Sequence, residues 1–279
     1  MVWQWKTGKR LRYLTIPEWE KLGVQIGFSS REHGVSDSPF ESLNLGLHVG
    51  DDRDKVLENR LKWFSEWNTS PKEVVVGQQV HGTQVYWVNP EDAGRGSTCL
   101  DSAIPLVDAL VTDTNVALMA FFADCVPVYF FNPVIKTIGI AHAGWKGTIG
   151  KIVQAVLDRM AQAGGKPEDC LAAIGPGIGP CCYEIDDSVA GKVRAVFGES
   201  TLIKPTKPGK YMLDLWGLNK VQLIKAGILE ENISICSLCT SCNSDAFFSY
   251  RRDEGQTGRM SSWIRLNLWE AHDVKDPNS

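Results

Sequence analysis

The sequence is poor in histidine, with five among 279 residues. That scarcity rules out a metal cluster built from many imidazoles. It also lacks a marked excess of either charge. Twenty-nine Lys and Arg face 33 Asp and Glu, for a net charge of −4, and the sequence pI is about 5.8. No general attraction to nucleic acid or to an anionic membrane follows from that balance. The longest apolar run, VALMAFFADCVPVYFF, is interrupted by Asp124. It is too short to span a bilayer comfortably and reads as buried strands. The stretch MVWQWKTGKRLRYLTIPEWE has no apolar h-region and no small-residue cleavage site, which argues against a signal peptide. Eight Cys are too few for a disulfide scaffold at this length, so reduced thiols in a cytoplasmic protein are the expectation. Neither a solenoid-period repeat nor a low-complexity segment is visible. A small substrate or a specific partner fits what is left.

What is present has an ordinary soluble composition, 43% hydrophobic and 22% charged. VQIGFSS reads as a short strand, followed by the polar loop REHGVSDSPFESLNLGLHVGDD. In DKVLENRLKWFSEWN the apolar positions Val56, Leu57, Leu61, Phe64 and Trp67 mark an amphipathic helix. VVVGQQVHGTQVYWV reads as two strands around a polar break that contains His81. VDALVT, VALMAFFA, VPVYFF and TIGIAH form a strand-rich centre. A helix is expected from about Thr148 to Gln162, ended by Gly164 and Gly165. LAAIGPGIGP runs from strand into a Gly/Pro loop, a further helix starts near Asp186, and DLWGLNKVQLIKAG is helical. ISICSL and AFFSYRR read as strands, and residues 273–279 as a frayed tail. Strands and helices mix without strict alternation and without a linker. The expected fold is one α/β domain over residues 1–272 with mixed sheets, not a Rossmann fold.

Asp124, Cys125 and His142 interrupt or end apolar segments where core is expected. If NPVI is a four-residue turn, Phe131 pairs with Lys136, and continuing that register sets Cys125 opposite His142. A five-residue turn would put them on opposite faces, and Pro127 argues for an edge strand or a bulge. Three readings stay open. The pair is ordinary core, or a nucleophilic dyad in which His142 draws the proton from Cys125, or part of a metal site. In the last case His81 is the best third ligand. Two His and one Cys with an open fourth position is a catalytic zinc arrangement, and Asp124 is placed to orient a ligand or carry a proton.

Among the loops, HAGWKGT joins a strand to a helix, where backbone N–H groups and Lys146 suit an anion such as phosphate. It lacks the Walker A spacing. IGPGIGPCCYEI is a rigid turn, with Cys181 and Cys182 expected to pack rather than chelate together. CSLCTSC superficially resembles an iron–sulfur run but lacks the fourth nearby Cys, so Cys236, Cys239 and Cys242 are read as structural. Arg31, Asn44 and His48 lie in the long N-terminal loop; Arg suits phosphate, while Asn and His suit ribose hydroxyls or a purine edge. Arg251 and Arg252 read as solvated strand-end residues.

QVHG at 79–82, ADC at 123–125, HAGWKGT at 142–148 and IGPGIGPCCYEI at 174–185 resemble the multicopper polyphenol oxidase (laccase-like) domain family. SREHGVS, SLNLGLHVGDD and FFSYRRDEGQTGRM match it too, so the resemblance spans nearly the whole chain in order. It implies a four-layer α/β/β/α sandwich, distantly similar to the catalytic domain of cytotoxic necrotising factor toxins. It further implies zinc held by His81, Cys125 and His142, and activity on purine nucleosides and phosphate: phosphorolysis of nucleosides, deamination of adenosine and cleavage of methylthioadenosine. Copper oxidation of phenols, which the family name suggests, is the alternative. Five His cannot supply a multicopper cluster beside a His₂Cys site, so Cu²⁺ is at most an occupant of that site. A metal-free Cys–His hydrolase acting on peptidoglycan precursors or amides is the remaining enzyme reading.

Overall fold

The computed structural model describes residues 1–267; the expected domain end at 272 and the tail at 273–279 lie outside them. The first half contributes β1 (Gln4–Thr7), β2 (Arg12–Thr15), α1 (Pro17–Glu20), β3 (Val24–Ser29), α2 (Arg53–Glu66), β4 (Val74–Val76) and β5 (Val85–Trp87). Next come β6 (Ala109–Thr112), β7 (Ala117–Phe122), β8 (Val126–Asn132), β9 (Thr137–Ala143), α3 (Trp145–Ile149) and α4 (Ile152–Gln162). The rest is β10 (Leu171–Ile174), β11 (Glu184–Asp186), α5 (Asp187–Phe197), β12 (Ile203–Lys207), β13 (Lys210–Leu213), α6 (Leu215–Lys225), β14 (Ile233–Ile235) and β15 (Met260–Leu266).

Two six-stranded mixed sheets stack face to face, one ordered β1-β2-β3-β15-β7-β4 and the other β14-β10-β8-β9-β6-β5. Side chains alternate between two cores. Tyr129, Phe131, Ile138 and Ile140 point between the sheets to meet Val24, Ile26, Leu118 and Ile264. Val126, Val128, Phe130, Ala141 and Ala143 point the other way, onto α4 and α6. Both faces of β8 and β9 are buried, which is why these segments read as continuous apolar runs without alternation. On the far side, Trp63 and Phe64 of α2 pack with Val74, Met119 and Trp263. The result is the expected α/β/β/α order. A small sheet, β11-β13-β12, stands apart with α5. No helix among the described residues is long and apolar enough to cross a membrane.

Four local expectations are corrected. The β8–β9 hairpin pairs Asn132 with Thr137 and Pro127 with His142, two residues away from the expected register. Asn132 stays in the strand because its Oδ1 accepts from the N–H groups of Val134 and Ile135 at 3.0 and 3.2 Å, closing the turn one residue later. A slip of two preserves side-chain parity, so Cys125 and His142 still share a face, diagonally rather than directly opposed. Pro127 sits in a central strand, not at an edge. Its carbonyl accepts from Gly175, just past the end of β10, so the missing N–H faces a turn instead of a ladder partner. The helix expected over 148–162 is broken at Lys151, which has φ 65°. AFFSYRR is not a strand: the N–H groups of Ser249, Arg251 and Arg252 donate to the side chains of Asp253, Asp124 and Ser249, so side chains satisfy this backbone in turns. Strand β15 escapes notice because of Ser261 and Ser262. Both are fully buried, with the Ser262 hydroxyl donating to Ala120 O at 3.2 Å.

Candidate metal centre and active site

The chain crosses from one sheet to the other twice at the same end. One crossing joins β4 to β5 and carries His81; the other joins β7 to β8 through Ala123, Asp124 and Cys125. His81 and Asp124 take left-handed backbone conformations, φ 60° and 86°, which turn the chain sharply enough to make these crossings. Beside them, β9 ends at His142 and Ala143. The ligand atoms of His81, Cys125 and His142 lie within 4.8 Å of one another, and the two imidazoles meet edge to face with centroids 4.8 Å apart. Gly144 follows β9 where a Cβ would come 2.8 Å from Cys125 Sγ and 3.4 Å from the His81 ring. Its bareness makes room for the three side chains. That close approach accounts for a glycine here.

Asp108 orders the cluster, and sequence reasoning missed it. The β6–β9 register pairs Ala109 with Ala141, so one step further sets Asp108 beside His142. Its Oδ1 lies 2.8 Å from His142 Nδ1. The same carboxylate accepts from the N–H groups of Val80, His81 and Gly82 at 3.2, 2.9 and 2.7 Å, so one acid fixes both the His142 ring and the loop that carries His81. The only signal was an acid at the head of the apolar strand VDALVT, and its use needed a strand pairing unknown from sequence. Burial works against charge on His142, but Cys125 and Asp108 outweigh it and raise its pKa to about 9. Burial likewise pushes the Cys125 thiol up, yet His142 and His81 bring it down to about 6. A thiolate beside an imidazole held by a carboxylate is a donor set suited to a soft divalent metal.

Asp124 was the sequence candidate for orienting a ligand; that hydrogen bond comes from Asp108. The Asp124 carboxylate is instead held by the Thr240 hydroxyl at 2.6 Å and the Arg251 N–H at 2.7 Å, while the residue still borders the cleft. The cleft has a volume of about 950 Å³ and is lined by His81, Cys125 and His142 together with His48, Lys146, Arg251 and Arg259. Trp145, Tyr183 and Tyr250 add aromatic surface. Burial, with the charges of Arg259 and Arg60, lowers the His48 pKa to about 4, so this ring is neutral at pH 7. Arg31 and Asn44 are not in the cleft wall. Arg31 spends its donors on the carbonyls of Glu41 and Ser244 and lies over Phe248. Asn44 is buried and holds Gly46 and Arg259 through backbone N–H groups. The cleft arginines are Arg251 and Arg259, the first of which read as solvated. Arg251 is exposed even so, whereas Arg252 is part-buried and binds the carbonyls of Thr240, Ser241 and Phe247. The structure also brings Cys181, Cys182, Cys239 and Cys242 together, against the expectation of separate packing roles.

These features define a class: a four-layer α/β/β/α sandwich with two histidines and one cysteine, able to hold a metal ion, in a cleft lined by charged and aromatic side chains. The chain belongs to the multi-copper polyphenol oxidoreductase laccase family, whose profile matches residues 25–267. It is 43% identical over 253 residues to the purine nucleoside phosphorylase YlmD of Geobacillus stearothermophilus, covering 88% of this chain and 92% of that protein. To the purine nucleoside phosphorylase YlmD of Bacillus subtilis it is 39% identical, covering 91% and 94%. A crystal structure of a hypothetical protein YfiH from Bacillus licheniformis superposes with a TM-score of 0.90 at 41% identity, covering 94% of this chain and 98% of that one.

Proposed function

We propose that the chain is a zinc-dependent, cytoplasmic purine nucleoside phosphorylase that also cleaves methylthioadenosine and deaminates adenosine. The observation that carries this reading is the convergence of His81, Cys125 and His142 in a cleft that also presents Lys146, Arg251 and Arg259. The names of the relatives support the phosphorylase part, and eight free cysteines fit a reducing compartment. The donor set suits zinc, with three protein ligands and an open side towards the cleft. Zinc bound there supplies Lewis acidity and lowers the pKa of water.

The residues of the chain do the rest. Lys146, Arg251 and Arg259 counter the charge of phosphate as its oxygen bonds to the ribose anomeric carbon and the bond to the purine nitrogen breaks. Trp145, Tyr183 and Tyr250 offer faces for the purine. In deamination, water oxygen replaces the amino group at C6 and ammonia leaves. Asp124, held by Thr240 and Arg251, is the group assigned to move the proton. His48 is neutral and can donate or accept a hydrogen bond from substrate without adding charge. Adenosine turnover with and without phosphate tests the reading. Adenine release stops in phosphate-free buffer while inosine formation continues, and both stop after chelation. Adenine release that ignores phosphate would make the protein a nucleosidase.

One observation favours a second reading. Cys125, His142 and Asp108 form a line of nucleophile, base and orienting acid, with the thiol depressed and the imidazole raised. That arrangement suits a metal-free hydrolase of amides or peptidoglycan precursors, whose activity would survive chelation.

A further inference from the structure

Four cysteines outside the cleft lining stand together on two loops. Cys181 and Cys182 end the glycine-rich turn that follows β10, and Cys239 and Cys242 belong to the loop that follows β14. The sulfurs of all four lie within 4.8 Å of one another. Cys242 Sγ is 3.5 Å from Cys181 Sγ and 3.3 Å from Cys182 Sγ. We propose that these four cysteines bind a second metal ion, a structural zinc in a closed tetrathiolate site, distinct from the three-ligand site in the cleft.

A tetrahedral zinc with Zn–S bonds of about 2.3 Å sets its sulfurs about 3.8 Å apart. The observed cluster needs only small side-chain rotations to reach that spacing. The surroundings are those of a ligand loop. The two segments are joined by backbone pairing, with Thr240 N donating to Gly177 O at 3.0 Å. Gly179 N points at Cys239 Sγ from 3.2 Å, as N–H groups do around metal thiolates. The Cys239-x-x-Cys242 turn is closed by Asn243, whose N–H and side-chain amide both donate to Cys239 O, at 3.1 and 2.8 Å. Arg252 lies against the same turn through the carbonyls of Thr240 and Ser241, at 3.0 and 3.4 Å. Its guanidinium is also paired with the Asp253 carboxylate at 2.7 and 2.9 Å, which fixes it against the turn. Binding releases the four thiol protons to solvent. Cys181 and Cys242 are exposed and Cys239 is buried, so the site lies at the surface, open to loading, with one ligand rooted in the core.

The staple would matter to the cleft. Tyr183 follows the Cys pair directly and lines the cleft. Thr240, inside the Cys239–Cys242 turn, gives its hydroxyl to Asp124. A zinc tying the two loops fixes both.

The test is zinc content of the full chain, purified without added metal or chelator, for wild type, Cys242→Ser, Cys125→Ser and the double variant. Cys242→Ser should contain about one zinc per chain less than wild type, Cys125→Ser should keep about one, and the double variant should hold none. Because Cys242→Ser can fail to fold, Cys125→Ser decides independently. Reloaded with Co²⁺, it should show intense thiolate-to-cobalt charge transfer although the cleft thiolate is gone. Folded Cys125→Ser that binds neither zinc nor cobalt overturns the proposal. So does wild-type zinc content in Cys242→Ser, or a non-reduced mass two hydrogens light from a disulfide among the four.

Discussion

Asp108 carries more of the candidate site than any single ligand does, because its two oxygens order a ring and a loop at once. Asp108→Asn keeps the shape but removes the charge and leaves an amide N–H facing a donor. Metal affinity should fall about 10–100-fold, as read by competition with a coloured chelator, and melting temperature should drop as well, because a buried donor is left unpaired. Cys125→Ser should lose the cleft metal outright while the far-ultraviolet circular dichroism stays native; retention of full metal would remove Cys125 from the ligand set. The metal-free protein gives a pH signature. The depressed Cys125 pKa contributes stability that is fully present above the unfolded thiol value of 9.0 and is lost as pH falls through about 6. The raised His142 pKa contributes stability fully present below 6.5 and lost as pH rises through about 9. One grows as the other fades, so melting should stay nearly level between these limits. Reactivity then reports the pair: alkylation of Cys125 in chelated protein should rise with a midpoint near pH 6, and a midpoint near 9 would show that the pair does not form.

At the scale of elements, α2 is fastened by a buried cation as well as by its apolar face. Asp52 caps it through the N–H groups of Asp54 and Lys55. Arg60, fully buried, donates to Leu45 O at 2.8 Å and to Gly96 O and Ser97 O at 2.9 and 2.7 Å. Burial lowers its pKa to about 9. Its guanidinium also lies over Phe121, a residue that borders both His48 and the cleft. Arg60→Met replaces the volume but strands three carbonyls, and should cost about 3–5 kcal/mol in urea denaturation. A loss below 1 kcal/mol would mean that water can reach those carbonyls. The same packing chain predicts weaker substrate binding in Arg60→Met at temperatures where it remains folded.

For the whole molecule, the question is which reaction the family name describes. Among the described residues only His81 and His142 join Cys125; His48 stands apart in the cleft, and His33 lies on a polar loop. Two histidines besides these three groups are too few for a multicopper cluster among the described residues. On one preparation, assayed for metal, adenosine should turn over with zinc alone, and phenol oxidation should appear only with added copper, because zinc has no redox chemistry. Steady phenol oxidation by copper-free protein, or nucleoside turnover that needs copper, would overturn the assigned metal and reaction class together.

The sequence by itself determined the central strands, the amphipathic α2 and the polar break holding His81. Each of these is written in local periodicity or in one residue type out of place. The shared face of Cys125 and His142 followed from the sequence only for an even slip of the hairpin, and the tertiary structure supplied one of two residues. Register it could not fix, because whether Asn132 closes the turn or starts it depends on a side-chain hydrogen bond. Nor could it find β15, whose buried serines look like surface until Ala120 and Ser29 are beside them. Asp108, Arg259 and the four clustered cysteines became visible only in the tertiary structure. Their partners lie far away along the chain, and distance in space, not sequence pattern, decides which donors one ion or one substrate can reach.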